Sequence, residues 1–293
     1  MSKIICLVGP TATGKTKVSI ELAKYYNAVI MNADSTAVYS EPLIATAKIT
    51  EDEKENIEHY MLDLVSLNDE YTLYDYQKDG RKILDKLINE NKNVIIVGGS
   101  GLYIKALLYD YNLNEVEKIN LDLSKYSNMD LKSMADKINS NNNIHINNRQ
   151  RLERYIRKYY ENNESLVISN GSNNRVYDFE LIGLKTDRDT LYSLINNRVD
   201  KMIKDGLLEE ANKLYKLHLK NFTNIIGYRE LNMYFNNEIS LEEAIDLIKR
   251  NTRRYAKRQF TWFNNQMKDI KWFDVNYNNI NITINEIKEY LKK

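Results

Sequence analysis

Apolar residues follow two rhythms along this chain. Short continuous runs at 4–8, 28–32, 60–65, 93–97 and 176–184 are rich in Ile, Val and Leu. Their length and apolar content predict strands, and 28–32 reads as the buried kind that builds parallel sheets. Between them lie stretches with a helical period. Val18, Leu22 and Tyr25 make one stripe, and Leu73, Tyr76, Ile83, Leu84, Leu87 and Ile88 make another within 72–90. Leu191, Leu194, Ile195, Val199 and Met202 make a third within 188–204. Further helices are predicted at 207–218, 241–266 and 282–293, with a last short strand at 271–273. Strands alternating with helices imply an α/β fold around a parallel sheet.

One region breaks the pattern. Residues 111–146 are polar, Asn-rich and weakly periodic, and read as an inserted, mainly helical smaller domain. The sequence therefore divides into a first part of the core (1–110), the insertion (111–146), and the rest of the core with a basic helical part (147–293). Within 147–162 a helix carries Arg149, Arg151, Arg154, Arg157 and Lys158, with Glu153 as the one acid lying among these cations. Residues three and four apart share a helix face. A solvated surface explains such a face, and so does contact with phosphates; the scarcity of acids favours the second.

Composition narrows the field. The chain has 293 residues and a net charge of +1, so no global charge imbalance marks a nucleic-acid partner, and any basic face must be local. The single cysteine, Cys6, lies inside the first apolar run and excludes disulfides and cysteine-ligated zinc. His59, His145 and His218 are far apart, without ligand spacing. No signal peptide precedes the first strand and no apolar run approaches ~18 residues, so a cytoplasmic protein without membrane contact is expected.

Chemistry concentrates where strands end. Gly9, Pro10, Thr11, Ala12, Thr13, Gly14, Lys15 and Thr16 fit the phosphate-loop pattern G-x-x-x-x-G-K-[ST], with a strand before and a helix after. Such a loop aims backbone N–H groups and the positive end of a helix at phosphate. Lys15 adds charge there, and the Thr16 hydroxyl is placed to hold Mg²⁺. Asp34 follows the second strand, at the sheet edge where ligands sit in α/β folds, although an Asp there equally often caps a turn. Ser100 stands in Gly98-Gly99-Ser100-Gly101 after the fourth strand. Arg198 adjoins an apolar stripe and needs an anionic partner. Helix 241–266 carries Lys249, Arg250, Arg253, Arg254, Lys257 and Arg258, with no acid between Asp246 and Asp269. RNA backbone is the natural partner for such a run, while its aromatic residues read mainly as core.

These stretches together resemble one family, the tRNA dimethylallyltransferases. The runs are GPTATGKT (9–16), NADSTAVY (32–39), ATAK (45–48), GGSGLYIKALL (98–108), NRVDKMIKDGLLEEANKL (197–214), IIGYRE (225–230) and RNTRRYAKRQFTWF (250–263). They occur in the family's order and span nearly the whole chain. The resemblance implies a P-loop NTPase-like fold and transfer of a dimethylallyl group from dimethylallyl diphosphate to N6 of the adenine 3′ to the anticodon. By that resemblance the loop holds the leaving diphosphate with Mg²⁺, Arg198 reaches the same diphosphate, Asp34 is the general base, and Ser100 replaces the family's usual threonine. It also implies tRNA contacts at Asp34, Ser35, Thr36, Ala37 and Ser100, at Gln150, Arg151, Leu152, Glu153 and Arg154, and at Gly227, Tyr228 and Arg229. Arg250, Arg254 and Arg258 would lie along the RNA, and the insertion would clamp the anticodon stem. Separately, a monomer is expected.

The sequence departs from the family at several points. The usual D-S-M-Q reads Asp34-Ser35-Thr36-Ala37, G-T-A-K-P reads Ala45-Thr46-Ala47-Lys48-Ile49, and I-H-P-N-D reads Ile144-His145-Ile146-Asn147-Asn148. The alternative functions are a small-molecule P-loop kinase, with ATP as donor and Asp34 as base toward a hydroxyl, and an RNA-binding module without turnover. The basic run at 249–258 discriminates against the kinase, which has no use for it.

Overall fold

The computed structural model describes residues 2–111, 113, 121–162 and 174–292. Part of the predicted insertion, residues 112 and 114–120, lies outside the described residues. The chain runs β1 (Ile4–Val8), α1 (Lys15–Tyr26), β2 (Ala28–Asn32), α2 (Glu51–Lys54), β3 (His59–Tyr60), α3 (Leu73–Asn89), β4 (Asn93–Gly98) and α4 (Gly101–Leu108). It continues through α5 (Asn128–Ile138), α6 (Arg149–Asn162), β5 (Glu180–Lys185), α7 (Arg188–Lys204), α8 (Leu207–Tyr215), α9 (Tyr228–Phe235), α10 (Leu241–Gln266), β6 (Lys271–Asp274) and α11 (Ile280–Leu291).

The strands form one six-stranded sheet in the order β3-β2-β4-β1-β5-β6, parallel at every pairing. β1 is central, and its residues divide between two cores. Ile4, Cys6 and Val8 pack with Met31, Val94 and Ile96 on one side. Ile5 and Leu7 pack with Leu22, Ile30, Ile95 and Leu184 on the other. Each such side chain contributes roughly 1.5–3 kcal/mol by leaving water. The Cys6 thiol is fully buried, and burial holds it in its protonated form.

Helix limits follow their caps. The Thr72, Asp187 and Ser240 side chains each accept a backbone N–H from the first turn, and α3, α7 and α10 begin after them. The strand predicted at 60–65 is not formed beyond Tyr60. Met61 and Asp63 adopt φ of +62° and +54°, which no strand accommodates, and Val65 keeps only an isolated bridge to Tyr39. The strand predicted at 176–184 is shorter at its start, beginning at Glu180.

Two compact units result, Met1–Tyr109 with Arg175–Lys293, and Asp110–Asn174. In the first, α8, α9 and the start of α10 add a third apolar core around Leu207, Tyr228, Leu231 and Ile248. In the second, α5 and α6 pack through Leu131, Ala135, Leu152 and Ile156. The arginine-bearing helix thus belongs to the same unit as α5, whereas the sequence division assigned it to the segment after the insertion.

Candidate active site

The site lies at the C-terminal ends of β1, β2 and β4, where a parallel sheet opens to ligands. β1 runs into the phosphate loop. Gly9 has φ of +149°, and a Cβ there would sit 2.6 Å from the Leu184 carbonyl, so only glycine lets the loop pass β5. The buried Thr13 hydroxyl donates to the Pro10 carbonyl at 2.8 Å and stiffens the turn. Lys15 Nζ reaches back over the loop, donating to the Gly9 and Pro10 carbonyls at 3.0 and 2.8 Å. Burial pulls the Lys15 ammonium down to about 8; the nearby Asp34 charge opposes this, and Arg198 adds to it.

β2 delivers Asp34. The Asn32 amide accepts the Asp34 N–H at 3.1 Å and donates to the Met61 carbonyl at 3.0 Å, which fixes the backbone as it leaves the strand. The Tyr76 hydroxyl donates to the Asn32 carbonyl at 2.8 Å beneath it. β4 delivers the partner loop. Ser100 Oγ donates to Asp34 Oδ1 at 3.1 Å, and the Gly99 N–H donates to Oδ2 at 3.3 Å. The Ser35 N–H donates to Ser100 Oγ at 3.0 Å. Both carboxylate oxygens are therefore held by the loop after β4, while the Asp34 carbonyl accepts the Ala37 N–H at 3.2 Å in the turn that follows; the next helix, α2, is capped by Thr50.

Arg198 comes from α7 and donates to Thr11 Oγ1 at 3.2 Å. Burial lowers its pKa, and Asp34 opposes the shift. A cavity of about 290 Å³ joins these groups, lined by Thr11, Asp34, Ser35, Thr36, Arg198, Gly227, Arg229 and Arg258 among others. Its lining also includes the apolar Val199, Met202, Leu207, Ile225 and Ile248. A larger open groove of about 920 Å³ runs along β6 and α11 and contains none of the predicted site residues.

Several predicted contacts need correction. Ala37 and Leu152 are 7% and 0% exposed, and Leu152 is part of the α5–α6 core, so neither offers a side chain to RNA. Tyr228 is fully buried, stacked on Phe222, with its hydroxyl donating to Glu210 Oε1 at 2.6 Å. Glu153 is committed to Arg149 and Arg157 at 2.7 and 3.4 Å. Gln150, Arg151 and Arg154 remain exposed on α6. On α10 the cations are not all uncompensated. Lys249 pairs with Asp200 of α7 at 2.6 Å, and Arg253 donates to Asn196 at 2.6 Å. Arg250, Arg254 and Arg258 are exposed. Of the α10 aromatics, Phe263 is core, as its spacing predicts, and Tyr255 lines the cavity.

Sequence reasoning missed Gln259. Its Oε1 accepts the Thr11 N–H at 2.9 Å and its Nε2 donates to the Gly99 carbonyl at 3.0 Å. The available signal was its position on the stripe of α10 that buries Ile248, Ala256 and Phe263. A glutamine on an apolar stripe needs internal partners. Glu230 was also missed. At 1% exposure it accepts from the Gly227 N–H at 2.8 Å, Arg229 at 2.6 Å and Asn251 at 2.7 Å, tying the turn before α9 to α10.

The comparison with known proteins decides the family. The model of the IPP transferase family matches residues 37–266. The chain belongs to the tRNA dimethylallyltransferase family. A tRNA dimethylallyltransferase of Enterococcus faecalis is 41% identical, covering 93% of this chain and 92% of that protein. One of Anoxybacillus flavithermus is 40% identical over 99% of this chain and 96% of its own. The crystal structure of a tRNA isopentenylpyrophosphate transferase from Bacillus halodurans aligns with a TM-score of 0.76 at 33% identity, covering 100% of this chain and 96% of that one. A eukaryotic dimethylallyltransferase described as acting on tRNA aligns with a TM-score of 0.79 at 25% identity, over 94% of this chain and 74% of its own. The fold shared with these transferases is the P-loop NTPase-like arrangement that the first strand and loop announce.

Proposed function

We propose that this chain transfers a dimethylallyl group from dimethylallyl diphosphate to N6 of the adenine 3′-adjacent to the tRNA anticodon, releasing diphosphate. The observation that carries the reading is the Asp34 carboxylate, held by Ser100 and Gly99, sharing one cavity with Arg198 and with Thr11 of the phosphate loop. A proton acceptor next to a diphosphate cradle is what amine alkylation by a diphosphate ester requires.

In this mechanism the C1–O bond of the donor breaks with its electron pair going to the diphosphate oxygen. Lys15 leaves its loop carbonyls for that oxygen, and Arg198 adds a second positive charge. The adenine N6 lone pair forms the new bond to C1, and Asp34 accepts the proton that N6 gives up. Ser100 and the Gly99 N–H keep the carboxylate aimed. The apolar lining formed by Val199, Met202 and Leu207 excludes water from the allylic carbon.

Magnesium belongs to the same reading. Among the described residues no group of three or more His, Cys, Asp or Glu side chains could hold a metal. Mg²⁺ at phosphates takes one or two protein oxygens and completes its shell with phosphate and water, and the exposed Thr16 hydroxyl at the start of α1 fits that role. When bound it would neutralise the developing diphosphate charge.

An adenine stacked in an anticodon loop cannot enter a cavity of this size, so it must flip out, at a cost of a few kcal/mol. Exposed Arg250, Arg254 and Arg258 on α10, and Gln150, Arg151 and Arg154 on α6, supply the offsetting backbone contacts. A small-molecule kinase would need neither set. The reading includes action as a monomer in the cytoplasm; separately, no helix among the described residues is long and apolar enough to cross a membrane.

Incubation with unmodified tRNA and either dimethylallyl diphosphate or ATP, followed by mass spectrometry of the nucleosides, tests the proposal. Prenylated adenosine formed only with the prenyl donor is the expected result. Phosphoryl transfer from ATP without prenylation would sink it.

A further inference from the structure

The β1–β4 ladder ends at the Val8–Gly98 pair, and the two chains then part as the phosphate loop and the Gly99 turn. Gln259 of α10 supplies the next rung. It is 5% exposed, and its amide uses both ends, accepting the Thr11 N–H at 2.9 Å and donating to the Gly99 carbonyl at 3.0 Å. The fit leaves no slack: a Cβ on Gly99 would lie 2.1 Å from Nε2. Each end of this bridge holds a residue that in turn contacts a predicted site residue. Thr11 Oγ1 accepts from Arg198, and the Gly99 N–H donates to Asp34. The bridge also starts on the helix that exposes Arg254 and Arg258.

We propose that Gln259 is a positioning residue for the transfer: its amide sets the separation between the diphosphate loop and the Asp34 carboxylate. This inference rests on the prenyl-transfer reading above. The geometry demands one acceptor facing Thr11 and one donor facing Gly99, which only an amide or a neutral carboxylic acid provides at this length. A carboxylate in the same place would set an oxygen anion against the Gly99 carbonyl.

The test uses Gln259→Met and Gln259→Glu in the full chain, with steady-state kinetics from pH 5.5 to 8. Gln259→Met is expected to lower kcat about 10²-fold, the scale of an ångström of misplacement, with KM for tRNA little changed. Gln259→Glu should fall similarly at pH 8 and recover relative to wild type as pH drops, because its protonated carboxyl regains the donor toward Gly99. A kcat within twofold of wild type in Gln259→Met overturns the proposal. So does a variant-to-wild-type ratio for Gln259→Glu that is flat with pH, or a loss that tracks the unfolded fraction in a thermal melt. If wild type transfers no prenyl group, the functional reading fails instead. Hydrogen exchange at the Thr11 amide, protected in wild type and released in Gln259→Met, then still reports whether the bridge exists.

Discussion

The Ser100 hydroxyl donates to Asp34 Oδ1 across a gap of 3.1 Å, joining the ends of two neighbouring strands, β4 and β2. A carboxylate held in this way keeps one direction. Replacing it by an amide preserves its shape and removes its basicity. Asp34→Asn is expected to leave tRNA affinity nearly intact while kcat falls by ~10² or more. Single-turnover prenylation beside a filter-binding titration reads both quantities, and an unchanged rate removes Asp34 from the role of base.

Ser100 itself should matter less. Ser100→Ala removes one of two donors to the carboxylate and leaves the Gly99 N–H, so a loss of roughly tenfold in kcat is expected, about 1.4 kcal/mol. Ser100→Thr keeps the hydroxyl and should keep most of the rate. Equal losses in the two variants would place the effect in packing rather than in the hydrogen bond.

Lys15 makes donor binding sensitive to pH. In the free protein its ammonium titrates at about 8, below the ordinary lysine value, because it is buried. A bound diphosphate favours the charged form and raises that value. Affinity is thus full below pH 8 and weakens as pH rises above it, with a proton taken up on binding. The diphosphate is already ionised in that range, its last phosphate pKa being about 6. Calorimetry with dimethylallyl diphosphate from pH 7 to 10, in buffers of different ionisation enthalpy, should show both effects. Lys15→Arg should show neither. For folding the sign is opposite: the unfolded chain holds the Lys15 proton more tightly, so this group adds stability as pH rises through 8 toward the unfolded value.

Neutralising Arg254 and Arg258 together should weaken tRNA binding and flatten its salt dependence by roughly one unit for each phosphate no longer neutralised. Binding measured from 50 to 300 mM KCl checks this. An unaltered slope takes α10 off the RNA.

Glu230 serves stability rather than chemistry. Glu230→Ala leaves the Gly227 N–H and the Asn251 amide without their acceptor, and a loss of about 3 kcal/mol is expected in urea unfolding. A change under 1 kcal/mol would mean that the turn before α9 finds other partners.

Much of this architecture was legible in the sequence because the signals are local. α7 and α10 occupy the residues their periodicity predicts, each behind an Asp or Ser cap, and β2 coincides with its apolar run. The phosphate loop, Asp34 and Ser100 stand at strand ends where the pattern put them. The failures are tertiary. Whether Lys249 is a free cation depends on Asp200, which another helix brings to it. Tyr228 looks like an exposed motif residue until Phe222 and Glu210 close over it. β3 stops at Tyr60 because Met61 and Asp63 take left-handed backbone, which apolar runs do not announce.

Tyr109 and Arg175 form an antiparallel bridge where the core chain departs and returns. From the sheet's side, the whole excursion Asp110–Asn174 is therefore a loop with its two ends already pinned, and the entropic cost of such a loop grows only with the logarithm of its length. The β1–β4 and β1–β5 ladders draw all their pairs from outside that excursion, so a change of length within it adds little to the cost of closing the loop.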